Sequence, residues 1–244
     1  MNLNKRSKKL RLEIIKLSKA NGGYHYGGSF SCVEILLSLF DSVLKDEEDK
    51  FIMSKGHACW GYYVLLHEKG FKPLLEGHPH RDVHNGVQWT TGSEGHGFPA
   101  AVGMSMARKI KSQNGEIYVL IGDGECQEGT TWESFLMAIQ HNLNNLTVII
   151  DFNRIQGSGF TKDILSVDCI GKVAEVVGWK VSEIDGHNIE ELTKKMLEKK
   201  NKPHLIVAHT IKGKGVSFME NQPKWHANWP NPEYEKIAID ELSK

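Results

Sequence analysis

Two short apolar runs with a helical stretch between them restrict the fold of this chain most strongly. The runs are Ile117–Ile121 and Leu146–Ile150, and the stretch from Thr130 to His141 carries its apolar residues at helical spacing. A strand, a crossover helix and a second strand of this length predict two parallel strands in one sheet. Both strands are apolar throughout, which is typical of a sheet covered on both faces.

Polar residues follow each of these strands directly. Gly122, Asp123, Gly124 and Glu125 come after the first run, and Asn153 comes just after the second. Because the carboxyl ends of parallel strands share one edge of the sheet, Asp123 and Asn153 are expected to lie side by side where ligands bind in open α/β sheets.

The oxygen atoms of Asp123 and Asn153 are hard ligands of the kind that Mg²⁺ accepts, and they are too few to enclose an ion alone. Phosphates, backbone carbonyls and water complete such partial sites. Glycines on either side of Asp123 let the backbone approach a phosphate, and the following helix N-terminus favours an anion. The pattern therefore predicts a magnesium–diphosphate site.

The rest of the chain continues the alternation of helices and strands. We predict a single α/β domain over residues 1–244, with a mostly parallel sheet and helices on both faces. The predicted strands are Phe51–Ser54, Ile117–Ile121, Leu146–Ile150, Lys180–Ile184 and Leu205–Thr210, and the predicted helices are Lys5–Ala20, Cys32–Leu44, Ala58–Glu68, Ala100–Ile110, Thr130–His141, Ile170–Val177 and Ile189–Lys199. Gly-rich Asn21–Ser29 and the aperiodic stretch from Gly70 to Pro99 are expected to be loops.

Composition bears on partners and compartment. Thirty basic and thirty acidic residues leave no net charge, so nothing draws the chain towards nucleic acid, and there is no 18-residue apolar run for a membrane. The four cysteines form no CxxC pair, and we expect reduced thiols in a cytoplasmic protein.

The motif residues resemble a known family. Gly122–Gly129 and Asp151–Gln156 resemble the thiamine diphosphate motif as transketolases carry it. Five further blocks similar to those of transketolases occur in the same order, so the resemblance spans roughly residues 10 to 230. The blocks are Gly23–Ser29, Met53–His57, Glu76–Pro79, Thr91–Gly97 and Lys212–Ser217.

The resemblance implies the thiamine diphosphate-binding fold and a set of site residues. The implied Mg²⁺ ligands are Asp123, Asn153 and the backbone carbonyl of Ile155. The implied contacts to thiamine diphosphate are His57, Gly92, Ser93, Glu94, Gly122, Asp123, Gly124, Glu125, Asn153 and Ile155. The implied catalytic residues are His25, His57, His78 and His226, which line the ketose channel, and Glu128, which links cofactor sites across a dimer.

The resemblance also implies a partner. In transketolases the glutamate that activates the cofactor lies on a second, pyrimidine-binding domain, and this chain ends at Lys244. We therefore expect one subunit of a split transketolase, inert alone, that joins a C-terminal subunit in a heterotetramer of two plus two chains. It would transfer a two-carbon ketol unit from an anionic ketose to an aldehyde. Helices Val33–Leu37 and Ala100–Ala107 are candidate contact faces.

Some positions depart from the family pattern. Tyr26 replaces a proline, Glu94 replaces an apolar residue beside the cofactor, and His96 replaces a glutamine, so the substrate is left open. We predict that Glu94 and His96 form a hydrogen-bonded pair. Two alternatives remain: the α-type half of a 2-oxoacid dehydrogenase or of an enzyme that makes acyloins or passes a C2 unit to a carrier, and a regulatory partner without catalysis.

Overall fold

The computed structural model of the chain describes residues 3–45, 48–228 and 230–244. The elements, in chain order, are α1 (Leu3–Ala20), α2 (Tyr26–Ser31), α3 (Val33–Ser38), β1 (Lys50–Met53), α4 (Trp60–Glu68), α5 (Gly97–Ile110), β2 (Ile117–Gly122), α6 (Gly129–Gln140), β3 (Leu146–Phe152), β4 (Ile155–Gln156), β5 (Gly159–Phe160), α7 (Thr161–Ile164), α8 (Ile170–Val176), β6 (Lys180–Asp185), α9 (Ile189–Leu197), β7 (His204–His209) and α10 (Pro232–Ser243).

Five strands form one parallel sheet in the order β1-β2-β3-β7-β6, which confirms the predicted α/β class. The chain adds strands in one direction through β3 and then in the other, so the order reverses between β3 and β7. Loops at the carboxyl ends of strands diverge at such a point and leave a crevice for a ligand.

Alternate residues of the central strands enter two separate cores, as the period of a strand requires. On β2, Tyr118 and Leu120 pack towards one side, and Val119 and Ile121 pack towards the other. Helices α1, α3, α4, α9 and α10 cover the first side, and α5, α6 and α8 cover the second. Burial on both faces explains why these strands have no polar alternation.

Several predicted boundaries were wrong in ways that tertiary packing explains. The expected loop at Asn21–Ser29 becomes helix α2 from Tyr26, because its residues are buried against α1 and α4. The predicted helix Cys32–Leu44 is divided into α3 and a π-helical turn at Leu39–Val43. Helix α5 begins at Gly97 instead of Ala100, and the sequence analysis missed α10.

The proposed contact faces fare differently. Every residue of Val33–Leu37 is buried in the core of the same chain, so this helix offers no face to a partner. Helix α5 buries one side through Ala101 and Ser105 and exposes Gly103 and Ala107 on the other. Among the described residues, no helix is both long and apolar enough to cross a bilayer.

Candidate functional site

The site is built where β2 and β3 end. Gly122 pairs in register with Asp151, so Asp123 and Asn153, which follow them, emerge at the same edge of the sheet. One turn joins the two strand ends, because Asp123 Oδ2 accepts a hydrogen bond from the backbone N–H of Arg154. The structure thus brings Asp123 and Asn153 together as the sequence predicted.

The Asp123 carboxylate is buried and carries unused acceptor capacity. Its Oδ1 accepts from Gly124 N at 2.8 Å, and only 2% of the residue is exposed. Burial, and then the charge of Asp151, raise the pKa of Asp123 to about 6. A carboxylate that is costly to keep ionised is stabilised by a bound cation.

Two further oxygen atoms accompany this carboxylate. Asn153 Oδ1 accepts from Ile155 N at 3.1 Å, and the Ile155 carbonyl accepts from the ammonium group of Lys212 at 2.8 Å. Each of these oxygens accepts one hydrogen bond and retains a second lone pair. The three predicted metal ligands are therefore a set of hard oxygen donors that fits Mg²⁺.

Asp151, which the sequence analysis did not single out, organises the edge around these ligands. It is fully buried, forms an ion pair with Lys55, and accepts from the hydroxyl group of Thr210 and from Asn153 Nδ2 at 3.1 Å. It also accepts from Ser31 on α2. A single charged residue in an otherwise apolar strand was the signal that could have identified it.

Lys55 and Lys212 supply two buried positive charges at the same edge. Each is 1% exposed, and the Lys212 ammonium also lies 2.9 Å from His226 Nδ1. Burial, followed by the charge of Lys55, lowers the pKa of Lys212 to about 8. Neither lysine was singled out from the sequence, although both lie in quoted blocks. Beside oxygen ligands for a cation, two ammonium groups suit a polyanion such as a diphosphate.

The four predicted catalytic histidines converge from four separate segments. Ring centroids of His57 and His226 are 5.0 Å apart, and each lies 5.4 Å from that of His25. The ring of His78 lies 6.3 Å from that of His25. His25 directs its ring into this group from a left-handed backbone conformation with φ 67°, which a residue other than glycine adopts only when its surroundings impose it.

The electrostatics of the cluster keep three of its imidazoles neutral. Burial, then the charge of His78, lower the pKa of His25 to about 4, and burial, then Lys212, lower the pKa of His226 to about 2. Burial also holds the pKa of His57 well below its usual value. A neutral imidazole donates from one nitrogen and accepts at the other, so the cluster can hold hydroxyl groups and move protons between them.

The loop from Gly92 to Gly97 lies beside these rings. Gly92 has φ +148°, and a Cβ there would lie 3.2 Å from the ring of His78. Glu94 Oε1 lies 3.3 Å from His57 Nδ1, whereas His96 is exposed, so Glu94 pairs with His57 instead of the predicted His96. Ser93, a predicted cofactor contact, is half-buried on the same loop.

The remaining predicted residues lie around the histidines and the strand edge. Glu125 is fully buried and accepts from Ser54, from Gly95 N at 3.0 Å and from Gly122 N at 3.3 Å, so it ties loops together from inside the protein. Burial raises the pKa of Glu125 to about 7. Glu128 is exposed at the start of α6.

Tyr26, by contrast, points away from the site. It is 1% exposed and its hydroxyl accepts a hydrogen bond from Ser18 of α1 at 3.0 Å. This departure from the family pattern therefore alters the core and leaves the histidine cluster unchanged.

Comparisons with known proteins agree with this geometry. The family model described as transketolase, thiamine diphosphate binding domain, matches residues 4–232. The chain is 40% identical to one of the named subunits of the apulose-4-phosphate transketolase of Actinobacillus succinogenes, over 98% of this chain and 95% of that protein. It is 35% identical to the 6-deoxy-6-sulfo-D-fructose transketolase subunit SqwG of a Clostridium species, over 96% of this chain and 93% of that protein.

A solved structure extends the comparison to the fold. The transketolase of Campylobacter jejuni superposes with a TM-score of 0.86 and 29% sequence identity. The match covers 100% of this chain and 43% of that protein, so the chain spans less than half the length of the solved transketolase.

Proposed function

The chain belongs to the transketolase family through its thiamine diphosphate-binding domain, and from this premise we propose that it forms the diphosphate-binding half of an enzyme that transfers a two-carbon ketol unit from a ketose to an aldehyde. One observation carries the proposal. Four histidines converge, with neighbouring rings 5.0 to 6.3 Å apart, at the strand edge that holds Asp123 and Lys212.

We propose that the strand edge holds thiamine diphosphate with Mg²⁺. Asp123, Asn153 Oδ1 and the Ile155 carbonyl would ligate the metal, and Lys55 and Lys212 would neutralise the diphosphate. Bound there, thiamine diphosphate supplies a nucleophilic carbon that can carry the two-carbon unit. The support from this chain is the chemistry of its donors, three hard oxygens beside two buried ammonium groups.

The histidines would act on the sugar. Because low pKa values keep His25, His57 and His226 uncharged at neutral pH, each ring can accept a proton from one hydroxyl while donating to another. His78, packed against Gly92, would bound the same channel. Holding the ketose in one orientation and moving its hydroxyl protons is the contribution that these residues make.

We propose that the donor is a phosphorylated or otherwise anionic sugar. The support is the pair of similar proteins whose names specify apulose-4-phosphate and 6-deoxy-6-sulfo-D-fructose. Glu94 would adapt the channel to its particular donor, because its carboxylate faces His57 where the family pattern has an apolar residue. A carboxylate in this position accepts hydrogen bonds from sugar hydroxyls and disfavours negative charge nearby.

We further propose that the chain acts with a separate C-terminal subunit that provides the pyrimidine-binding domain. The relatives that it matches over more than nine-tenths of their length are named as subunits. A heterotetramer of two plus two chains would give two shared sites, and exposed Glu128 and the exposed side of α5 are available for the interface. Four free cysteines fit a reducing compartment such as the cytoplasm.

Reconstitution tests the proposal. The chain alone should bind Mg–thiamine diphosphate weakly and turn over no ketose, and addition of the C-terminal subunit should create ketol transfer on a panel of phosphorylated and sulfonated ketoses. A 2-oxoacid panel tests the dehydrogenase alternative in the same assay. Ketol transfer by the purified single chain, or turnover of 2-oxoacids alone by the pair, would contradict the proposed function.

A further inference from the structure

A second polar cluster is buried beside the histidine site and takes no part in the function described so far. Arg11 of α1 forms a two-pronged ion pair with Glu34 of α3, with both N–O distances at 2.8 Å. His187, just after β6, donates from Nδ1 to Glu34 Oε2 at 2.8 Å. Arg11 and Glu34 are 3% and 5% exposed, so the cluster is shielded from water.

The hydrogen bonds of the cluster fix the state of the His187 ring. Nδ1 faces a carboxylate and must carry the proton, while Nε2 faces the backbone N–H of Ile211 at 2.9 Å and must accept. The ring is therefore a neutral imidazole whose tautomer is set by its two neighbours. Arg11 in turn holds Glu34 in place and donates to the Phe30 carbonyl.

The acceptor nitrogen of His187 points at the residue that precedes Lys212. Lys212 carries the ammonium group that contacts both the Ile155 carbonyl and His226. The turn is held on one side by Thr210 N, which donates to Phe152 O at 3.2 Å. On the other side Gly213 N donates to Gly27 O at 3.0 Å.

Between these anchors, the bond from Ile211 to His187 determines how the peptide before Lys212 is oriented. A rotation of that peptide would move the start of the long lysine side chain, and the ammonium at its tip would leave both of its partners. The cluster thus controls a charge that lies on a different strand end.

We propose that His187 is a positioning residue for Lys212, held in the required tautomer by the Arg11–Glu34 ion pair. The inference rests on the proposed binding of a diphosphate at Lys212. Stability alone does not require this cluster, because a buried ion pair is often replaced by apolar residues without loss. A directed acceptor for one backbone N–H is what the ion pair and the imidazole provide together.

Three variants of the full chain test the proposal. His187→Phe keeps a ring of similar size and removes both hydrogen bonds, whereas His187→Gln retains one donor and one acceptor. His209→Phe is the matched control, since His209 ends the neighbouring strand and its ring nitrogen pairs with the surface residue Glu183, at 3.2 Å. Binding of Mg–thiamine diphosphate and of Mg with inorganic diphosphate is measured by calorimetry, alongside thermal unfolding.

We expect His187→Phe to weaken both ligands about tenfold, which corresponds to about 1.4 kcal/mol and to the loss of one hydrogen bond. His187→Gln should remain within about threefold of the wild type, and His209→Phe should match it. Equal affinity of the wild type and His187→Phe, or an equal loss in the Phe and Gln variants, would overturn the inference while the proposed function stands. A wild type that binds neither ligand would overturn both.

A measurement on the unaltered chain guards against variants that do not fold. In ¹⁵N-histidine-labelled protein, the His187 ring should show a protonated Nδ1 and an unprotonated, hydrogen-bonded Nε2. A ring protonated at Nε2 could not accept from Ile211, and this result would overturn the proposal.

Discussion

The ion pair between Lys55 and Asp151 allows stability and cofactor binding to be separated by mutation. Both residues are at most 1% exposed, and Asp151 also accepts hydrogen bonds from Ser31, Thr210 and Asn153. Removal of one partner of a buried pair leaves an uncompensated charge and costs about 3–5 kcal/mol. The three neutral donors that remain on Asp151 place Lys55→Met near the lower end, at about 3 kcal/mol.

The double variant Lys55→Met with Asp151→Asn removes both charges together. It should recover most of the lost stability, so the coupling energy of the double-mutant cycle should reach about 2 kcal/mol or more. The ammonium group is still absent, however, and the affinity for Mg–thiamine diphosphate should stay low. Recovered stability without recovered binding is the signature that we expect if Lys55 serves both the fold and the diphosphate.

Urea unfolding followed by circular dichroism measures the cycle. With a slope of about 3 kcal/mol per molar for a chain of this size, Lys55→Met should lower the midpoint by about 1 M. Lys214→Met is the control, because Lys214 is partly exposed and its ion pair with Glu220 spans 3.6 Å; its stability should change by no more than about 0.5 kcal/mol. A loss below about 1 kcal/mol in Lys55→Met, or single losses that simply add in the double variant, would refute the reasoning.

Three further predictions follow from the site and the core. Asp123→Ala and Asn153→Ala should each abolish Mg²⁺-dependent cofactor binding by the reconstituted complex, and calorimetry that finds unchanged affinity would contradict the metal assignment. Burial lowers the pKa of His204 to about 3, so this ring stays neutral in the folded chain while the unfolded chain takes up a proton below pH 6.5. Stability should therefore fall by about 2 kcal/mol between pH 7.5 and 5 on account of His204, and His204→Gln should remove that part of the slope in urea titrations. Glu94→Leu should shift the donor preference of the complex while leaving Mg–thiamine diphosphate affinity within about threefold, and an unchanged ranking of ketoses would show that Glu94 does not set specificity.

Local signals in the sequence were sufficient for the elements that carry the cofactor edge. The apolar runs of β2 and β3 and the helical period between them predicted parallel strands, because burial on both faces removes polar alternation. The positions of Asp123 and Asn153 followed from strand polarity alone. The resemblance to transketolases added the four histidines, and the structure brings their rings together.

The sequence could not give the contacts that arise between distant segments. Glu94 pairs with His57, which lies in a separate block far earlier in the chain, and not with nearby His96, since the direction of each side chain in a glycine-rich loop depends on the turn that the loop takes. The burial of Val33–Leu37 likewise depends on which helices pack around it.

What the sequence alone determined is the class of fold, the edge that binds and the chemical identity of the groups there, because these depend on periodicity and on residues adjacent in the chain. What only the tertiary structure decided is how charge is balanced inside. Asp151 accepts from several distant segments, and His187 connects Arg11 and Glu34 to the turn that bears Lys212. Charged groups that leave water must find partners wherever the folded chain supplies them, and that requirement has no periodic signature.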